Sequence, residues 1–265
     1  MTALAPLLKQ RIAQTGPIAI SEYMQTCLLH PKHGYYTTQA VFGQQGDFVT
    51  APEISQMFGE LLGLCLAQTW QDQGRPDRFI LLELGPGRGT LMADILHATR
   101  TLDGFHAGAQ IHLLEASPQL RAMQKEKLHP FHPVWIEQVV DLPNLPIFCI
   151  ANEFFDALPI QQYKKQPDGW SPVMVSADND NLVFADGKSQ AAVFSDALAA
   201  CLPDAMAHGA IVEYAPMVEA VMHTAAQHIA THGGAALLID YGHAAPACGD
   251  SFQAMRGHGF VDPLA

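Results

Sequence analysis

Basic residues are scarce in this chain: 14 Lys and Arg stand against 26 Asp and Glu, for a formal charge of -12 over 265 residues. No basic run occurs, so a phosphate backbone or an acidic membrane surface would meet no complementary face, and no nucleic-acid partner is expected. Paired cysteines are lacking too. The five present, Cys27, Cys65, Cys149, Cys201 and Cys248, are odd in number, widely spaced and never form C-x-x-C. That argues against a disulfide framework or a zinc knuckle and points to a reducing, cytoplasmic setting. No run of about 18 apolar residues is long enough to span a bilayer, and the first residues lack the basic and apolar segments of a signal peptide, so membrane insertion is not expected. Histidines number 13, but the closest pairs, His30 with His33 and His129 with His132, have no companion at a ligand spacing such as H-E-x-x-H. No metal site is expected.

What the chain does have is an apolar fraction of 49%, ample for a buried core. Leu4, Leu7, Leu8 and Ile12 recur at helical spacing, and a second helix is expected to start at a Ser21 cap, both ahead of any strand. A loop with Gly34, Tyr35 and Tyr36 follows, its tyrosines expected to pack. The next helix is expected from about Glu53 to Gln73, with Met57, Leu61, Leu64 and Leu66 as its apolar positions. Beyond Pro76 the rhythm becomes strand, turn, helix, strand, the sign of a parallel sheet covered by helices. Its expected strands are Phe79 to Leu82, Ile111 to Leu114, Val134 to Ile136, Ile147 to Ile150 and Ala236 to Asp240. Pro118 is expected to open a helix reaching Leu128. Between the last two strands, Ile160 to Lys164, Ser171 to Val175 and Asn181 to Phe184 read as short antiparallel strands joined by polar turns. A helix from Pro216 to Thr231 then leads back. Three parts are therefore expected: a helical region 1–76, a sheet core of 77–158 and 210–265, and a small β-rich insertion 159–209.

The chemistry concentrates where the first strand runs into Glu83-Leu84-Gly85-Pro86-Gly87-Arg88-Gly89. Three glycines at alternate positions between a strand and a helix let the backbone turn tightly and a ligand lie against it. The spacing is G-x-G-x-G, unlike the G-x-G-x-x-G of dinucleotide sites, and no acid follows about 20 residues on, which disfavours a nicotinamide-dependent oxidoreductase. Glu83 would repel a pyrophosphate and welcome a cationic, phosphate-free nucleoside. S-adenosylmethionine is such a ligand. Glu115, ending the second strand, stands where open sheets hold a carboxylate for the ribose hydroxyls. Asn152, Glu153 and Asp156 follow the fourth strand, where such sheets hold their reacting substrate. Asn152 could orient an amine, and either acid could hold a cationic nitrogen or take its proton. Asn152 and Asp156 could equally cap the next helix.

Four strings in this order, Gly46-Asp47-Phe48-Val49-Thr50-Ala51-Pro52-Glu53, Leu82-Glu83-Leu84-Gly85-Pro86-Gly87-Arg88-Gly89-Thr90, Ala151-Asn152-Glu153-Phe154-Phe155-Asp156 and Asp240-Tyr241-Gly242, resemble the MidA family of class I S-adenosylmethionine-dependent methyltransferases. The resemblance runs from about Ile18 to the last residue. It implies a Rossmann-like α/β fold with N-terminal helices and a small β-rich insertion. It also implies methylation of a protein arginine, in the mitochondrial members on a core subunit of respiratory complex I, assisting assembly. By the same resemblance Asp47, Thr50 and Glu53 close over the cofactor. Family members continue past the position matching Val261, so the sheet is expected to lack its last two strands. The residues after Asp240 are expected to be loop, and the uncovered edge would favour a homo-oligomer. The alternative of a non-catalytic, cofactor-binding assembly protein stays open.

Overall fold

The computed structural model describes residues 3–38, 50–191, 194, 196–203, 206–242, 247–257 and 259–265. The chain divides into two compact units, one of Gln39–Ala157 and Val218–Tyr241, the other of Met1–Thr38, Leu158–Met217 and Gly242–Ala265.

The first unit is built on a five-stranded sheet in the order Gly234–Ile239, Ile147–Asn152, Phe79–Leu84, Ala109–Leu114, Val134–Ile136. Every pairing is parallel. Phe79 to Leu84 are all buried, because helices cover both faces of a parallel sheet and leave no side for polar residues. Phe79 and Leu81 face a cluster with Trp70, Met92, Ile95, Phe105 and Phe148. Ile80, Leu82 and Leu84 face the opposite cluster with Ile147, Cys149 and Ala225. Each large apolar side chain so buried contributes ~1.5–3 kcal/mol. The register brings Leu84 opposite both Leu114 and Ala151. The strand ends at Gly85, Glu115 and Asn152 therefore emerge along one edge.

The helix expected from Glu53 to Gln73 is two helices, Ala51–Ile54 and Gln56–Asp72, interrupted by Ser55 in extended geometry. Of the four apolar positions named for it, Leu66 is buried and the other three are not. Met57, Leu61 and Leu64 are 64%, 58% and 51% exposed, while Gly59, Gly63, Leu66, Ala67 and Trp70 point inward. The reason is close packing against the helix Thr90–Ala98: a Cβ on Gly63 would lie 2.8 Å from Ile95 Cα, and one on Gly59 2.6 Å from Asp94 Cβ. The glycines must face that neighbour, which turns the leucine stripe outward. The helix Pro118–Leu128 begins as its sequence suggests, with the Ser117 hydroxyl accepting from the Leu120 N–H at 3.4 Å.

The second unit joins the N-terminal helices Ala5–Thr15 and Ile20–Leu29 to the β-rich segment. Its sheet runs Ile18–Ala19, Gly169–Asp178, Gln161–Gln166, Ile211–Tyr214, with Asn181–Asp186 also on Gly169–Asp178. Leu8, Ile12, Ile18, Tyr23 and Val175 share its core. A strand therefore precedes the second helix. That helix starts at Ile20 with no side-chain cap, so Ser21 lies inside it. Because Ile18 pairs with Val175, the first residues and the insertion are one body and not two separate parts. Helix Gln56–Asp72 instead belongs with the parallel sheet. After Asp240 the described residues are not all loop: Ala254–Arg256 and Gly259–Val261 form a short antiparallel hairpin, separate from the parallel sheet.

Candidate functional site

The glycine turn leaves strand Phe79–Leu84 with Gly85, Gly87 and Gly89 at φ +64, +52 and +74. All three lie in the left-handed region, which a residue with a Cβ enters at a cost of ~1–2 kcal/mol. Gly85 has a second constraint, since a Cβ there would lie 2.7 Å from the Phe154 ring. The Gly85 N–H donates to Leu114 O at 3.0 Å and that of Gly89 to Pro86 O at 2.7 Å, and Gly89 caps the helix Thr90–Ala98.

Glu83 lies beneath this turn and is 2% exposed. Its Oε2 has no hydrogen-bond partner among the described residues. Burial pushes its carboxyl up to about 8, with a Met92 N–H opposing the shift and Glu115 reinforcing it by like charge. A fully buried acid with an unused oxygen is costly unless it meets a donor or a cation.

Glu115 is also buried. Its Oε1 accepts from the Ser117 N–H at 2.8 Å and its Oε2 from the Gln124 amide at 3.2 Å. Burial raises its pKa, while those donors lower it. Gln124 was not anticipated. The same amide nitrogen donates to Gly87 O at 2.7 Å, and Gln124 Oε1 accepts from the Trp135 indole at 2.7 Å. Nothing in a linear reading singles out one glutamine on a polar helix as buried.

Of the early loop, Asp47 lies outside the described residues. Thr50 precedes the helix Ala51–Ile54, and its side chain makes no cap. Glu53 reaches the glycine turn: Oε1 accepts from the Thr90 hydroxyl at 2.6 Å, and Oε2 from Arg88 at 3.3 Å. Lys127 donates to the same Thr90 hydroxyl at 2.7 Å.

At the end of strand Ile147–Asn152, Glu153 adopts φ +50, unusual for a residue with a long side chain. Its N–H donates to Ile239 O at 2.9 Å, and its Oε1 accepts from the Asn152 amide at 3.3 Å. No helix follows for Asn152 or Asp156 to cap; a turn does. Asp240 fixes that turn. Its Oδ2 accepts from the N–H groups of Phe155 at 2.9 Å and Asp156 at 3.2 Å. Asp156 keeps contact with solvent, yet desolvation by the surrounding protein and like charge from Asp240 and Glu153 push its carboxyl up to about 6. One sheet edge thus carries a left-handed glycine turn, two buried acids and a cluster of three further carboxylates.

Known proteins are similar to this chain. Residues 61–265 match the family described as "Putative S-adenosyl-L-methionine-dependent methyltransferase". The chain belongs to this family. Among curated members, "Protein arginine methyltransferase NDUFAF7, mitochondrial" from Xenopus laevis is 38% identical over 96% of the chain and 63% of that protein. The protein of the same name from Homo sapiens is 36% identical over 100% of the chain and 64% of its own length. The chain therefore spans less than two thirds of these relatives. A solved structure from Burkholderia thailandensis, bound to S-adenosyl-homocysteine, is similar with a TM-score of 0.74 and 31% identity, covering 91% of this chain and 62% of that one. The Rossmann-like fold expected from the sequence is thus shared with a methyltransferase-family structure. The expected cytoplasmic location is corrected: the relatives are named as mitochondrial proteins, and composition alone carries no signal that separates the two reducing compartments.

Proposed function

We propose that this chain binds S-adenosylmethionine at the glycine turn and forms the catalytic part of a protein arginine methyltransferase. The observation that carries the reading is Glu83, a buried acid with one oxygen unused, two residues before the first of three left-handed glycines. Burial keeps a proton on it in the unliganded chain; a cationic, phosphate-free nucleoside would draw that proton off and pair with the carboxylate, whereas a pyrophosphate would gain no such partner. Glu83 and the turn would hold the aminoacyl-sulfonium end, Glu115 the ribose hydroxyls, and Glu53 with Thr50 and Asp47 the covering segment. The bound cofactor supplies an electrophilic methyl group on sulfur.

The chain's own task is then to hold a guanidinium in line, a matter of positioning for which no enzyme nucleophile is needed. Glu153, Asp156 and Asn152 are the residues proposed to do so. A guanidinium offers a planar fork of donors that suits paired carboxylates, and the mutual repulsion raising the Asp156 pKa is relieved by a cation. The methylated nitrogen sheds a proton, and a carboxyl near 6 supports Asp156 as its acceptor. Protein arginine as the acceptor rests on the names of the relatives. The narrower target, a respiratory complex I subunit with a role in its assembly, rests on the motif resemblance alone, and a homo-oligomeric state rests on the uncovered sheet edge.

Calorimetric titration with S-adenosylhomocysteine and with NAD tests the proposal. Binding of the first without the second is expected, and binding of NAD alone would overturn it.

A further inference from the structure

Gln124 has no place in the scheme above, yet it is fully buried and touches two of its parts. A primary amide has two N–H donors and one carbonyl acceptor. All three are used here: the amide nitrogen donates to Gly87 O at 2.7 Å and Glu115 Oε2 at 3.2 Å, and Oε1 accepts from the Trp135 indole at 2.7 Å. The alternative orientation would set the NH2 group against an indole N–H, which can only donate, and the carbonyl against two acceptors. Trp135 therefore decides which end of the amide faces the site. The side chain also fits the turn by shape, since a Cβ on Gly89 would sit 3.4 Å from Gln124 Cγ.

From this we infer that Gln124, oriented by Trp135, is the positioning residue that holds the Glu115 carboxylate in register with the glycine turn, so that a ribose diol is read. This rests on the cofactor reading above. The main-chain N–H groups of Ser117 and Ala116 also donate to the Glu115 carboxylate, and Gln124 is the donor that ties it to the glycine turn. Without Gln124 the carboxylate would keep its main-chain donors and lose that tie. The main chain at Gly87 would lose its link to the neighbouring strand end at the same time. Trp135 stands on strand Val134–Ile136, Glu115 follows Ala109–Leu114, and Gly87 follows Phe79–Leu84. One amide thus ties together the ends of three adjacent strands.

A merely structural glutamine would weaken all ligands alike, whereas a positioning role weakens the response to the hydroxyls. The test is calorimetric titration of the chain, Gln124→Met and Trp135→Phe with S-adenosylhomocysteine and with its 2′-deoxyribose counterpart, with folding checked by thermal melting. The unsubstituted chain is expected to prefer the hydroxylated ligand by about 10-fold or more, the worth of one hydrogen bond to a charged group. In Gln124→Met that preference should collapse towards 1. In Trp135→Phe, which keeps the packing and removes only the indole donor, it should fall part of the way. An undiminished preference in both folded variants overturns the inference, and if Gln124→Met does not fold, Trp135→Phe decides alone. If the unsubstituted chain binds neither ligand, the cofactor reading itself fails and this inference falls with it.

Discussion

The Glu53 carboxylate accepts a 2.6 Å hydrogen bond from the hydroxyl of Thr90, 37 positions away in the sequence. It fastens the segment ahead of the long helix to the first residue of the helix after the glycine turn. Replacing Glu53 with Ala removes that bond and leaves Arg88 without its partner. Arg88 is well exposed, so the ion pair adds little and the Thr90 bond dominates. Affinity for S-adenosylhomocysteine should fall by roughly 10-fold, the worth of one charge-assisted hydrogen bond. Calorimetry checks it, and unchanged affinity would separate this fastening from ligand binding.

Glu83 should make the unliganded protein less stable as pH rises. Its carboxyl titrates at about 8 in the folded state, against 4.5 as the ordinary value. The folded chain therefore holds a proton that the unfolded chain has released, and stability is lost between those two values on going up in pH. Glu83→Gln should flatten the slope and raise the melting temperature at pH 8 by ~3 °C, while weakening the cationic ligand. A melting curve for Glu83→Gln that follows the parent at every pH would refute this account of the acid.

Asp240→Asn keeps an oxygen for the N–H groups of Phe155 and Asp156 and removes a negative charge beside Asp156. Like charge from Asp240 is one of the causes of the raised Asp156 pKa. In the variant the pKa of Asp156 should move down from about 6 towards the ordinary carboxylate range, as followed by carboxyl-carbon NMR. The acid limb of any methyl-transfer pH profile should move the same way.

Glu153 stands in a backbone conformation that costs ~1 kcal/mol or more for a residue with a Cβ. Glu153→Gly should therefore raise the stability by ~0.5 kcal/mol once the greater freedom of unfolded glycine is subtracted. Glu153→Gln should be close to neutral in stability and in cofactor affinity. Both should lose methyl transfer, since each removes one of the paired carboxylates proposed to hold the guanidinium. Chemical denaturation combined with a transfer assay on an arginine-containing substrate separates the two effects.

Gly63→Ala drives a methyl group towards Ile95 Cα, 2.8 Å away, and should destabilise by ~2 kcal/mol through overpacking. Leu61→Lys, two residues away on the same helix and 58% exposed, should change stability by about 0.5 kcal/mol or less. Urea unfolding of the two variants measures the contrast, which is the reverse of what residue type alone suggests.

That reversal marks where a linear reading stops. Strand Phe79–Leu84 could be recognised because burial on both faces leaves an unbroken apolar run, and helix Pro118–Leu128 because Ser117 and Pro118 announce its start. Glu115 and the acids after Ile147–Asn152 could be singled out as candidates because a parallel sheet delivers its strand ends to one edge. Of the apolar positions named for Gln56–Asp72 only Leu66 faces inward, because an apolar stripe normally marks the core and here two glycines in contact with a neighbouring helix set the orientation. Ile18–Ala19 is too short for its period to show. Gln124 and Asp240 act by accepting from or donating to groups distant along the chain, and no local pattern records such partners.

The two strands that carry the carboxylate cluster are not held alike. Ile147–Asn152 is hydrogen-bonded along both its edges, to Phe79–Leu84 and to Gly234–Ile239, whereas among the described residues Gly234–Ile239 ends the sheet and is bonded along one. Asp240 thus joins a stiff support to a more compliant one, and an acid on the compliant side can shift without disturbing the glycine turn two strands away.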